Sequence, residues 1–365
     1  MNRLCKFLTF STLAVTLGGC VESIPFSTSG GSKILVVDGT FHNLNDSQRI
    51  RLTYTADYGN PPTAVENALI KVTDSDGKTA TYQADPTQAG FYRLAPNILR
   101  GQVGKSYKLN IQLPNGEMWQ TDAEPMLPSV RPDSMRIEVG KSLTLNDIGV
   151  VVSSDVLNVY ISTPLKDADG TPRHLHWTVR EVYQWTTFPE CNFLHNTTTC
   201  YFDHQTSPQL ISIAAPSTGV TRADNMKVAV KPLNQYDVSL MEIQYFNVFQ
   251  QTISPAAYTY WQQVNAASNP TGSIFDAAPG AVFGNIYKAS DKTQRALGYF
   301  EVSSVEIKRL RSLDYELRVL FPALKKKYDM CGYLFGNYTR DYFRGCCDCL
   351  QAGKGGSYAK PNYWQ

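Results

Sequence analysis

The chain has 365 residues, with 34 Lys or Arg against 32 Asp or Glu, a formal charge of +2. That balance gives no electrostatic footprint for nucleic acid, and a hydrophobic share of 42% excludes global disorder. The 21 Tyr, 16 Phe and 5 Trp suit β-rich structure; core packing is their main use, and contact with carbohydrate or peptide a second one.

The opening "MNRLCKFLTFSTLAVTL" places Arg3 and Lys6 ahead of an apolar run from Phe7 to Leu17. That run is shorter than the ~20 apolar residues needed to cross a bilayer, so residues 1–19 read as a secretory signal. It ends in Leu17-Gly18-Gly19-Cys20, which resembles the bacterial lipobox. The resemblance implies a diacylglycerol on the Cys20 sulfur, cleavage just before it, and a fatty acyl group such as palmitate on the new amine. Two or more acyl chains, at about 0.8 kcal/mol per buried methylene, suffice for stable anchoring. The alternative is an ordinary signal with a chance cysteine. Val21-Glu22-Ser23 follows with no Asp beside Cys20. The expected location is therefore the outer membrane, lipid-anchored, with the body facing the periplasm or the surface. Residues 20–32, rich in Ser, Gly and Pro, read as a lipidated flexible tether.

Residues 33–127 have the rhythm of a small antiparallel sandwich. "KILVVDGTF" is β-branched and apolar, and "RIRLTYTA" alternates with Ile50, Leu52 and Tyr54 on one side. Asp76-Gly77 and Asn115-Gly116 are hairpin signals between alternating strands. Strands separated by turns every eight to twelve residues predict an immunoglobulin- or transthyretin-like β-sandwich. "PMLPSVRP" then marks a boundary, and residues 128–312 read as a larger β-rich domain. One helix is expected near residues 254–267. Ser254 suits its N-cap, Pro255 its first turn, and Ala257, Trp261 and Val264 form an apolar stripe. Residues 313–365 make a strand and a Cys-rich tail. No internal repeat and no second membrane span is seen.

Cys5 leaves with the signal and Cys20 carries lipid, so Cys191, Cys200, Cys331, Cys346, Cys347 and Cys349 remain. An even set in an oxidising compartment predicts disulfides. Cys191 and Cys200 are placed to staple one local loop. For the rest, Cys331–Cys347 with Cys346–Cys349 is the least strained local pairing. A four-thiolate zinc site is the rival, disfavoured by adjacent ligands.

Other motifs have a bland explanation. "DSDG" (Asp74 to Gly77) and "DADG" (Asp167 to Gly170) lack the remaining ligands of a calcium loop and read as hairpin turns. His174 and His176 share one face of a strand without a third metal ligand, so a partly exposed polar face is expected. Tyr258 and Tyr260 are candidate binding aromatics beside Trp261, which packing claims first. Lys308, Arg309 and Arg311, with Lys325 to Lys327, read as solvated faces. No nucleophile elbow, zinc-binding helix pair or phosphate loop is found. The expectation is therefore no enzyme, no metal and no cofactor.

Several segments in order carry a family resemblance. They are an early "VVDG" strand, Gly101, Gly104 and Tyr107 in a Gly-x-x-Gly-x-x-Tyr pattern, and Ser254, Ala257 and Tyr258 at a helix start. Phe275, Asp276, Pro279, Gly284 and Asn285 follow, then the strand Leu297 to Phe300, and a tail with Lys360, Pro361 and Trp364. In these the chain resembles Bacteroidota outer-membrane lipoproteins catalogued as domain of unknown function 4249. Genes of that family often lie beside those of TonB-dependent outer-membrane transporters. The resemblance implies an envelope accessory protein, with such a transporter as partner, and transfers no catalytic residue. A structural or assembly factor of the outer membrane is the alternative, and an exported hydrolase the third reading.

Overall fold

The computed structural model describes residues 33–57, 59–146, 148–191, 196–207, 209–269, 281–331 and 343–365. The signal, the tether with Cys20, and the motif residues Phe275, Asp276 and Pro279 lie outside the described residues. The molecule is mainly β, with about half of the chain in strands.

In chain order come β1 (Leu35–His42), β2 (Gln48–Tyr54), β3 (Thr63–Ala64), β4 (Leu69–Asp74), β5 (Thr79–Ala84) and β6 (Phe91–Leu94). They are followed by β7 (Ser106–Gln112), β8 (Met118–Thr121) and β9 (Glu124–Pro125). After these come β10 (Ser134–Leu145), β11 (Val151–Pro164), β12 (His174–Thr186), β13 (Thr199–Thr206), β14 (Ser212–Ala214) and β15 (Arg222–Pro232). The chain continues through β16 (Gln244–Ile253), helix α1 (Pro255–Ser268), β17 (Phe283–Lys288) and β18 (Asp291–Ser312). Where a strand was expected after residue 312, two short helices, α2 (Asp314–Leu320) and α3 (Lys327–Cys331), lead into the tail, the first held by Glu316 capping Leu313 N and burying only Leu317.

Alternation along the early strands sends Leu35, Val37 and Phe41 inward with Ile50 and Leu52, leaving Arg49 and Arg51 outside. The two Gly turns form as read, with Gly77 at φ 85° between β4 and β5 and Gly116 at φ 86° between β7 and β8. The sequence leads one to expect a two-layer sandwich here; the sheet instead closes. Its path runs β1-β2-β6-β5-β4-β7-β8-β17-β18, and β1 pairs in parallel with β18 from Val36↔Leu297 to His42↔Ser303. A nine-strand barrel results. Closure removes the free edges that β1 and β8 would otherwise expose. The closing strands lie more than 150 residues downstream of β8, in the segment read as a second β-rich domain. Local patterning carries no trace of so distant a pairing.

β18 is 22 residues long and serves two sheets. Up to Ser303 it closes the barrel, and from Ser304 to Ser312 it pairs antiparallel with β16. The path then continues through β12 to β13, with β14 beside β12. A separate sheet, β10-β11-β15, packs against this one. Leu157, Val159 and Ile161 of β11 share a core with Trp177, Val179, Phe246 and Val248. Two-layer packing is thus found in the later half. Tyr299 to Val305 of β18 are all buried, one face toward the barrel interior and the other against the second unit.

The six cysteines form three disulfides, and the expected partners are not the ones joined. Cys191 pairs with Cys347, Cys200 with Cys349 and Cys331 with Cys346, at Cα separations of 5.1, 5.5 and 5.7 Å. Two of these bonds span 156 and 149 residues, so they tie the tail to the β12–β13 hairpin, at the turn after β12 and at the start of β13, instead of stapling either locally. The reason is the core beneath. Trp185, Phe202 and Tyr183 pack with Cys331, Cys346 and Cys349, and Trp185 Nε1 donates to Gly345 O at 2.7 Å. With every one of these sulfurs in a disulfide, no thiolate remains for the rival zinc site.

Candidate functional site

Helix α1 is where the sequence reading places it. Ser254 Oγ accepts from Ala257 N at 3.1 Å and Pro255 occupies the first turn. Ala257 is buried, and Tyr258, Tyr260 and Trp261 pack around Ile253, Ala257 and Tyr299. The helix therefore lies over the seam where barrel and second unit meet.

The seam holds a buried polar cluster. Glu301, 1% exposed, accepts through Oε2 from Trp261 Nε1 at 2.7 Å and is 3.2 Å from His176 Nδ1. His176 also lies against Trp261, ring centres 4.6 Å apart, and His174 against Tyr258 at 4.9 Å. The histidine pair is thus corrected: His176 is buried at 7% exposure, held by a helix residue and a barrel residue, and does not sit on an open polar face. Burial lowers His174 from the ordinary histidine range. Asp38, exposed on the barrel's outer face, is raised by the partial desolvation of its surroundings, with Arg51 opposing and Glu301 adding to the rise. Among the described residues no group of three or more His, Cys, Asp or Glu is placed to hold a metal ion.

Beside α1 opens a cleft of about 590 Å³. Its helix wall is Ala256, Thr259, Tyr260 and Gln263, and its barrel wall comes from Asp122 just after β8 and from β9, β17 and β18. Tyr299 Oη donates to Glu124 Oε1 at 2.7 Å, and Tyr287 Oη to Asp122 Oδ1 at 2.7 Å. Lys292 Nζ reaches Asp122 at 3.3 Å, and Arg295 donates to Gly284 O. The Tyr287 hydroxyl, with Lys292 behind it, holds Asp122 below the usual carboxylate range. Burial, with Asp38 adding, pushes the Tyr260 hydroxyl up to about 12, so it remains protonated at neutral pH. Phe283 at the rim is 41% exposed. The cleft thus presents aromatic faces beside charges of both signs, the arrangement of a site that fixes a polar ligand's orientation.

Two glycines and one asparagine shape the barrel wall. Gly298 sits at φ +82°, where a Cβ would lie 2.0 Å from Val37 O, so only glycine allows β18 this close to β1. A Cβ on Gly284 would meet Gly298 O at 1.5 Å. The β17–β18 register slips between Phe283 and Tyr287, and the Asn285 side chain bridges the gap. Its Nδ2 donates to Phe300 O at 2.9 Å and its Oδ1 accepts from Phe300 N at 3.0 Å.

The family model described as Domain of unknown function (DUF4249) matches residues 21–309. The chain belongs to the DUF4249 family. No curated protein matches it. The DUF4249 match ends before the cysteine-bearing tail, so it covers less of the chain than the tail motif led one to expect. Of the residues that carried the resemblance, Ser254, Ala257, Gly284, Asn285 and Leu297 to Tyr299 lie around α1 and the adjoining barrel wall, while Phe300 points into the barrel core.

Of the two aromatic candidates, Tyr260 lines the cleft, whereas Tyr258 turns to His174 and is absent from the lining. The sequence reading missed Asp122, Glu124, Lys292 and Arg295. Nothing local marks them, because Asp122 meets Tyr287 across 165 positions of sequence. The two Asp-Gly motifs are turns. Asp74 Oδ1 accepts from Asp76 N and Lys78 N, and Asp167 Oδ1 from Asp169 N and Thr171 N. Lys327 departs from the solvated face expected of it, since it pairs with Glu242 and lies 4.8 Å above the Trp185 ring.

Proposed function

We propose that this chain is a lipid-anchored binding protein of the cell envelope, held at the outer membrane through Cys20 and serving a TonB-dependent transporter. The cleft beside α1 is its ligand site. The observation that carries this reading is the convergence of Tyr260, Phe283 and Tyr299 with Asp122, Glu124, Lys292 and Arg295 around one opening. The lipobox supports the anchor, and the family resemblance supports the partner. Thermal unfolding against a panel of short saccharides and peptides tests the site. A ligand that raises the Tm of the wild-type chain and not of Tyr260→Ala is the expected result; a panel without effect on either contradicts it. Mass spectrometry of the protein from its native membranes is expected to find acylated Cys20 at the N-terminus.

A second reading, an assembly factor of the outer membrane, is favoured by the β10–β11 hairpin. Beyond the last β11–β15 pair its tip exposes Leu143 (71%), Leu145 (69%) and Ile148 (82%), with Val150, Val151 and Val152 beside them. Patches of this kind mark contact surfaces. Its unpaired strand edges do not suit hydrocarbon, so a protein is the better partner. Loss of outer-membrane integrity with normal ligand uptake, on shortening the tip, is the result that favours this reading.

A further inference from the structure

The cleft does not end at α1. It shares Tyr260 and Tyr299 with a second hollow of about 420 Å³, floored by Trp261, Val264 and Leu297. That hollow shares Val36 and Asp38 with a third, of about 370 Å³, which holds Arg51, Thr53 and Asn60. Three adjoining hollows with shared walls thus follow one another as a segmented groove along the outside of the barrel, the Tyr260–Tyr299 ring contact standing between the first two. Asp122, Glu124 and Asp38 line it against Lys292, Arg295 and Arg51, so formal charge cancels along its length.

We infer that this groove takes an extended, neutral saccharide chain, an inference that rests on the ligand-site reading above. Shape argues for a chain over a compact molecule. Charge argues for neutrality, because Asp122 and Glu124 already accept from Lys292, Tyr287 and Tyr299. A sugar hydroxyl both donates and accepts, so it can complete such a pair from either side. The Tyr260 ring and the exposed Phe283 ring offer flat apolar faces to sugar C–H groups. A peptide fits less well. One common way for an extended peptide to dock is to add a strand to an open sheet edge, and that way is closed here, since β1, β17 and β18 each have strands paired on both sides. The groove thus gives a peptide backbone no ladder to join.

Calorimetric titration of the intact chain with neutral mono-, di-, tetra- and hexasaccharides of glucose, mannose and galactose tests this. A panel of short peptides runs in parallel. Arg51 is exposed at the far end, so Arg51→Ala leaves the fold intact, which circular dichroism checks. The expected result is a hexasaccharide that binds about tenfold more tightly than its disaccharide, the gain falling away in Arg51→Ala. In the same titrations Tyr260→Ala weakens both lengths about tenfold. Equal affinity for both lengths, with Arg51→Ala silent, overturns the groove and leaves the cleft standing. Peptide binding that Tyr260→Ala weakens, without saccharide binding, overturns the ligand class alone. Failure of every probe overturns both the groove and the ligand site.

Discussion

Single side chains in this molecule are held by hydrogen-bond networks that set the direction in which they titrate. Asp85 is the clearest. Thr87 donates to its Oδ1 through the backbone N–H at 3.0 Å and the hydroxyl at 2.7 Å, and Arg93 Nε donates to Oδ2 at 2.5 Å. These bonds, the Thr87 pair foremost, hold the carboxyl at about 2, below its ordinary 3.8. A carboxyl depressed by folding contributes stability above its unfolded pKa and loses it as pH falls through the folded one. The contribution is therefore full above about pH 4 and gone near about pH 2. Thermal melts across that window are expected to show the wild-type Tm falling more steeply than that of Asp85→Asn. A gap that stays constant with pH contradicts the assignment. Glu301 is a different case, buried with one oxygen unpartnered while the other takes Trp261 and His176. No local pattern announces it, because Glu301 and Ser303 interrupt what otherwise reads as a plain buried strand.

At the scale of elements, β18 decides the architecture. Gly298→Ala places a Cβ against Val37 O and forces a positive φ on a residue with a side chain. We expect a loss of several kcal/mol, of the order of the larger single-substitution effects, read by denaturant unfolding; a loss under about 0.5 kcal/mol, as for a neutral surface change, contradicts the close β1–β18 approach. The tail is the second deciding element. Cys200→Ser removes a cross-link between residues 149 positions apart, for which about 2–4 kcal/mol is expected, read in non-reducing unfolding curves. Unchanged stability there would mean that the Trp185–Phe202 core holds the tail by packing alone. The cysteines were legible as a disulfide set, and Ser254-Pro255 as a helix start, because both signals are local in sequence. Barrel closure and two of the three pairings were not, since they join segments more than a hundred residues apart, and once Cys347 and Cys349 are taken by those long links Cys331 is left to its near neighbour Cys346.

Across the whole molecule, alternation and turn chemistry made the early strands and their hairpins readable, while the layer arrangement depended on which distant strand arrives at each edge. The same holds for the candidate site. Tyr260 stood out on its helix, but the charges that complete the cleft come from Asp122 just after β8, from β9 and from the start of β18, and only closure of the barrel brings them opposite α1. The central claim is that this junction binds the ligand. Hydrogen exchange of the intact chain, with and without the tightest-binding member of the saccharide panel, measures it most directly. Protection in peptides covering residues 119–124, 255–268 and 283–299 is the predicted result. Protection confined to the hairpin tip at residues 143–152, or none in those three segments, would contradict it.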